Sequence, residues 1–149
     1  MRDAAARGRP IGPGRRQERE TPVNTQDYED YIACFNRNDF EGFGKYYHDD
    51  VLFELGQKKT IVGRENILDF YRGVKAKVRE TLEVLSAVGD ENYLAVHVRT
   101  EFYGLEDWPD FIAGRLMKGE TINIESLGYY YLKDGKIARI LGARFKTFD

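Results

Sequence analysis

The chain has 149 residues, enough for one domain with a sizeable core, and 13% of them are aromatic, including 10 Tyr and 9 Phe. A formal net charge of −2 and the lack of a nucleic-acid-reading motif argue against nucleic acid as a partner, and the apolar runs are too short to span a membrane. Cys34 is the only cysteine, which leaves no internal disulfide or cysteine-rich metal site and fits a reducing, cytoplasmic setting.

Residues 1–22 hold six Arg, three Gly and three Pro with almost no large apolar side chains. Such a segment cannot bury enough surface to offset its ordering entropy, so it is expected to be a disordered basic arm preceding a domain over 23–149. It lacks the apolar centre of a secretory signal. Order is expected from Thr25, read as a helix cap, with Tyr28, Tyr31, Ile32 and Phe35 at i, i+3, i+4 and i+7. "NRND" ends that helix, and Asp39 can cap a second, shorter one carrying Phe40, Phe43 and Tyr47. A turn at His48-Asp49-Asp50 leads into strand 51–55, "VLFEL", followed by a short strand around Ile61 and Val62. Contiguous residues cannot all converge on one ion, so no metal is expected there. A third helix from Arg64 presents Ile67, Tyr71, Val74 and Val78.

Beyond residue 80 the hydrophobic period falls from about 3.6 to 2. Four long strands follow, at 81–88, 93–103, 121–132 and 136–148, with "DEN" and "KDGK" as tight turns. Helices early and an antiparallel sheet late define an α+β fold. The expectation is a cone-shaped barrel made from a strongly curved, mostly antiparallel sheet, with three helices from the N-terminal half on its concave face.

The stretches "YIACFNRNDFEGFGKYYHDDVLFEL", "VGRENILDFYRG" and "LGYYYLKDGKIARI" resemble the superfamily that includes nuclear transport factor two, ketosteroid isomerase, limonene epoxide hydrolase and the SnoaL-like polyketide cyclases. The likeness spans roughly residues 26–147. Against ketosteroid isomerase, Tyr31 stands at the oxyanion-hole tyrosine, with Tyr47 and Tyr71 at its hydrogen-bonding partners. The position of the catalytic base is Leu55, and that of the acid donor is Leu127 or Gly128. Against limonene epoxide hydrolase, the Arg-x-Asp strand motif is similar to Arg99-Thr100-Glu101. Its second aspartate, tyrosine and asparagine fall on Gly142, Phe53 and Leu55. Neither relative's full apparatus is present, and the likeness says less about reaction than about fold, because this fold hosts unrelated functions.

Two readings of strand 93–103 compete. His97, Arg99 and Glu101 share a face. If it is the concave one, the pocket gains an imidazole, a cation and an acid, as the epoxide-hydrolase likeness implies. Val96, Val98 and Phe102 make the opposite face the apolar one, which would leave the charged trio in solvent or in a dimer interface. Tyr31, Tyr47 and Tyr71 are either a hydroxyl network facing a ligand or core packing. Arg144 could hold an anionic ligand group bidentately, or pair with Glu101 or Glu125. The connection 104–119 carries Trp108, Phe111, Ile112, Leu116 and Met117, too apolar for an idle loop, and suits a lid over the mouth, a dimer contact or a local cap.

Two functions follow. One is a SnoaL-like enzyme of isomerase, cyclase or hydrolase type, acting on an apolar ring-containing substrate without metal or organic cofactor. In it, Glu101 or His97 moves the proton, Tyr31 polarises an oxygen and Arg99 holds the acid ionised. Tyr47, Leu55, Tyr71, Trp108, Leu127 and Arg144 contact the substrate. The other is a non-catalytic binding or assembly module that keeps the pocket. A homodimer through the sheet's outer face is expected in either case, since both strand faces carry large apolar residues.

Overall fold

The computed structural model describes residues 24–148, so the reading of residues 1–22 as a disordered arm falls outside them. Helix α1 spans Thr25–Asn36, α2 Phe40–Gly44 and α3 Arg64–Lys77. Six strands complete the fold: β1 Tyr47–Leu55, β2 Lys59–Val62, β3 Val78–Gly89, β4 Tyr93–Gly104, β5 Thr121–Lys133 and β6 Lys136–Phe148.

The cap of α1 is Asn24, one residue before the expected Thr25. Asn24 accepts from the Asp27 amide at 2.9 Å and Asp27 accepts from the Asn24 amide at 3.1 Å, a reciprocal box that Thr25 has no acid three residues on to complete. Asp39 caps α2 as expected, accepting from the Gly42 amide. Tyr47 is not helical but opens β1, and His48-Asp49-Asp50 lies within that strand rather than in a turn. Val78 likewise leaves the third helix and opens β3 without any intervening loop. The "KDGK" hairpin forms with positive φ at Asp134 and Gly135, which its tight turn requires.

The strands form one curved sheet in the order β2-β1-β6-β5-β4-β3. Every pairing is antiparallel except β1 with β6. The α+β architecture is therefore as expected, with the barrel corrected to an open mixed sheet whose edges are β2 and β3. Two apolar clusters hold it together. The larger unites the buried face of α1 (Tyr28, Tyr31, Ile32, Phe35) with Phe43, Phe53, Ile67, Leu94, Val96 and Val98. The smaller joins Val74, Val78, Phe102 and Ile124 to Phe111, Ala113 and Leu116 of the β4–β5 connection. The boundary between these clusters is where the cavity lies.

Candidate functional site

The cavity measures about 430 Å³. On β4 its wall is Val96, Val98, Thr100 and Phe102. Side chains alternate across a strand, so His97, Arg99 and Glu101 point to the opposite, outer face. This corrects their assignment to the pocket. Shifting β4 by one residue to bring them inside would expel Val96 and Val98, which are both nearly fully buried. On the outer face, His97 Nε2 meets Glu125 Oε1 at 2.8 Å and Arg99 lies 4.4 Å from the Phe148 ring centre. Glu101 is exposed.

The acid inside the cavity comes from β3. Glu80 alternates with Val78 and Leu82, so its carboxyl enters the concave side with theirs. It is half-buried and lines the cavity. Burial pushes its pKa up to about 7, against a smaller downward pull from Lys75. Lys75, only 8% exposed, donates from Nζ to the Phe35 carbonyl at 2.8 Å and lies 3.8 Å from the Phe35 ring centre. Burial lowers its pKa to about 8, with Glu80 acting in the opposite sense. The pair leaves one carboxyl poised near neutrality in an apolar wall.

Three tyrosines share that wall: Tyr28 from α1, Tyr71 from α3 and Tyr130 from β5. The Tyr28 and Tyr130 hydroxyls are 3.2 Å apart. Burial pushes the Tyr130 pKa up to about 12, with hydrogen bonding to Tyr28 and Tyr31 pulling down. Burial first, and the Glu80 charge second, raise Tyr71 well above its ordinary value. All three therefore stay protonated at neutral pH and can donate to a ligand oxygen.

Of the residues singled out in the sequence, Leu55, Tyr71, Leu127 and Arg144 border the cavity. Leu127 does so at its rim, since it pairs with outward-facing His97 and is 51% exposed. Tyr31 and Tyr47 lie behind the wall, their hydroxyls 2.6 Å apart, in the packed core. Their satisfied hydroxyls and full burial place them among the core tyrosines. Trp108 is also absent from the lining. It packs on Phe111 with ring centres 4.8 Å apart and exchanges backbone hydrogen bonds with Leu116, folding the connection on itself. Phe111, Ile112 and Ala113 of the same segment do form part of the cavity wall.

Of the residues that sequence reasoning missed, Tyr28 and Tyr130 could be read as buried but not as sharing a cavity, and Glu80 lies two residues from Val78 and Leu82 at a place where the helical repeat runs on. Among the described residues, no cluster of three or more His, Cys, Asp or Glu side chains comes together, and no helix is long and apolar enough to cross a membrane.

A family model for the SnoaL-like domain matches residues 28–140. Among solved structures, an LEH-like epoxide hydrolase from M. tuberculosis superposes with a TM-score of 0.67 at 13% identity, over 83% of this chain and 86% of that one. A SnoaL-like polyketide cyclase from Agrobacterium tumefaciens gives 0.64 at 20% identity, over 81% and 91%. An NTF2-like protein from Burkholderia pseudomallei gives 0.66 at 13%, over 83% and 91%. No curated protein matches the sequence significantly. At such identities the structural likeness speaks for the fold alone.

Proposed function

Since the chain belongs to the SnoaL-like family, we propose that it is a small-molecule enzyme working by acid/base chemistry, with Glu80 as its proton-handling group and an apolar, ring-containing substrate. The observation that carries this reading is one carboxyl, shifted to about 7, in a mostly apolar cavity of which it is the one lining acid among the described residues. A base is most effective when its pKa lies near the working pH, because it can then both accept a proton and return it. Ionised Glu80 would take a proton from carbon next to a substrate carbonyl. The Tyr28, Tyr71 or Tyr130 hydroxyl would stabilise the oxyanion that develops. Protonated Glu80 would then return the proton elsewhere on the ring system. This is the elementary step of an isomerase; in an aldol-type cyclase the enolate carbon would instead attack a second carbonyl of the same molecule, and protonated Glu80 would give its proton to the alkoxide that forms.

A non-catalytic module is favoured by one specific feature: the positions matching the family's aspartates hold Leu55 and Leu127 or Gly128, which border the cavity without titrating. Deuterium exchange at the α-carbon of 2-tetralone, followed by NMR in heavy water, separates the two without knowledge of the natural substrate. The enzyme reading expects protein-accelerated exchange with an acidic limb near pH 7, reduced by about 100-fold in Glu80→Gln. Exchange no faster than buffer, or undiminished in Glu80→Gln, rejects it.

A homodimer through the outer face of the sheet is part of the same proposal. Val88, Leu127, Tyr129 and Phe145 stand exposed there, Val88 at 69% and Phe145 at 63%, a patch that association would cover.

A further inference from the structure

The opening of the cavity has a chemistry different from its interior. Three segments meet there: the β1–β2 turn with Lys58, strand β6 with Arg144, and the β4–β5 connection with Ile112 and Ala113. Lys58 Nζ donates to the Ile112 carbonyl at 3.2 Å, and Arg144 Nη2 donates to the Ala113 carbonyl at 2.8 Å. Two cations thus bind consecutive carbonyls of the β4–β5 connection, which ties both to residues 112 and 113. Arg144 Nη1 has only a long contact, 3.4 Å, to the Thr147 hydroxyl. Neither cation is in an ion pair among the described residues.

The backbone also aims Arg144 at this place. The β5–β6 ladder pairs Glu125 with Lys146 but Ser126 with Arg144, leaving Phe145 as an extra residue on β6. A bulge of this kind redirects neighbouring side chains, and here it follows cavity-lining Ser126 and Arg144. A carbonyl takes one N–H from each cation, so an ammonium with three donors and a guanidinium with five retain several for a ligand.

We infer that this opening is an anion subsite, and that the ligand is an apolar ring system carrying one carboxylate-type group that Arg144 and Lys58 hold. The inference rests on reading the cavity as a small-molecule site, and adds the ligand's charge and its direction of entry. Only one orientation suits such a molecule. An anion placed deep would lose its water among apolar walls and face the single lining carboxylate, Glu80. Placed at the mouth, it stays partly hydrated and meets both cations, the guanidinium offering two parallel N–H groups.

The test uses two dyes with the same aromatic body, 1-anilinonaphthalene-8-sulfonate and uncharged N-phenyl-1-naphthylamine. Each is titrated by fluorescence into the full chain, Arg144→Gln, Lys58→Gln and Arg144→Lys. Arg144→Gln is expected to weaken the sulfonate dye about tenfold, and Lys58→Gln about threefold, with the neutral dye changed less than twofold. Arg144→Lys should recover part of the loss. Equal losses for both dyes would mean that these side chains only brace the connection, and would overturn the inference. So would unchanged affinity for the sulfonate dye. In both cases the proposed function stands, because the cavity still takes the neutral dye. A chain that binds neither dye overturns both.

Discussion

Val98 and Arg99 are neighbours on β4, yet one lines the cavity and the other packs against Phe148 on the far side of the sheet. The outer face carries the constellation that looks catalytic in one dimension, an imidazole, a guanidinium and a carboxyl at alternate positions. There they are partly or fully exposed, and His97 is occupied by Glu125. Among the described residues the inner face carries a single lining acid, Glu80, and burial moves it to about 7 against the pull of Lys75. The contrast teaches that the environment, more than the inventory of ionisable groups, makes a side chain chemically useful. A carboxyl set in an apolar wall is changed by its burial.

The comparison breaks most visibly if both faces tolerate charge equally. Val98→Asp would place a carboxylate without a partner in the inner wall, at an expected cost of about 3–5 kcal/mol. Urea denaturation at pH 8, where the new acid is ionised in the unfolded chain, reads this. A loss under about 1 kcal/mol would mean that the inner face is wetter than its residues suggest.

Glu80 sharpens the comparison through pH. Its folded pKa, about 7, lies above the ordinary value of 4.5, so the folded state prefers the neutral form. The associated stability is present below about pH 4.5 and is lost as pH rises towards and through 7. Glu80→Gln stays neutral throughout. It should match the parent near pH 5 and exceed it at pH 8 by on the order of 2 kcal/mol, read from denaturant midpoints at the two pH values. Lys75 is shifted the other way, to about 8, so its unfavourable charge grows as pH falls through that value. Near pH 5 Glu80 is neutral in the parent too, so both chains carry Lys75 alike there; at pH 8 Glu80→Gln removes the charge that pulls the Lys75 value up, and Lys75 is then neutral in the variant. Equal stabilities at pH 8 would place Glu80 in solvent.

The smallest effect belongs to the outer face. Arg99→Gln and Glu101→Gln should each change stability by less than about 0.5 kcal/mol and leave deuterium exchange unaltered. A large loss of exchange in Glu101→Gln would return the chemistry to the residues that the epoxide-hydrolase likeness picked out.

The order of elements, the helical faces of α1 and α3, the Asp39 cap and the Asp134-Gly135 hairpin were legible because each depends on neighbours within a few residues. Even the face of β4 was legible, since Val96, Val98 and Phe102 marked the apolar side. The family motif pointed the other way, and desolvation decided in favour of the apolar side. Glu80 was obscured by a local coincidence. Val78 continues the helical repeat of Ile67, Tyr71 and Val74, so the strand seemed to start at Thr81, past the acid that matters.

Other features had no local signal at all. Tyr28 and Tyr31 sit on the same helix face with similar neighbours. Only the arrival of Tyr130, 102 positions along the chain from Tyr28, makes Tyr28 a cavity residue. The meeting of Lys58, Arg144 and the carbonyls of Ile112 and Ala113 is likewise a product of three distant segments. Secondary structure and face are written in short-range periodicity, so the sequence alone determined them. Which buried groups share a cavity, and how far burial moves their proton affinity, depends on contacts between residues far apart in the chain, and those the tertiary structure decided.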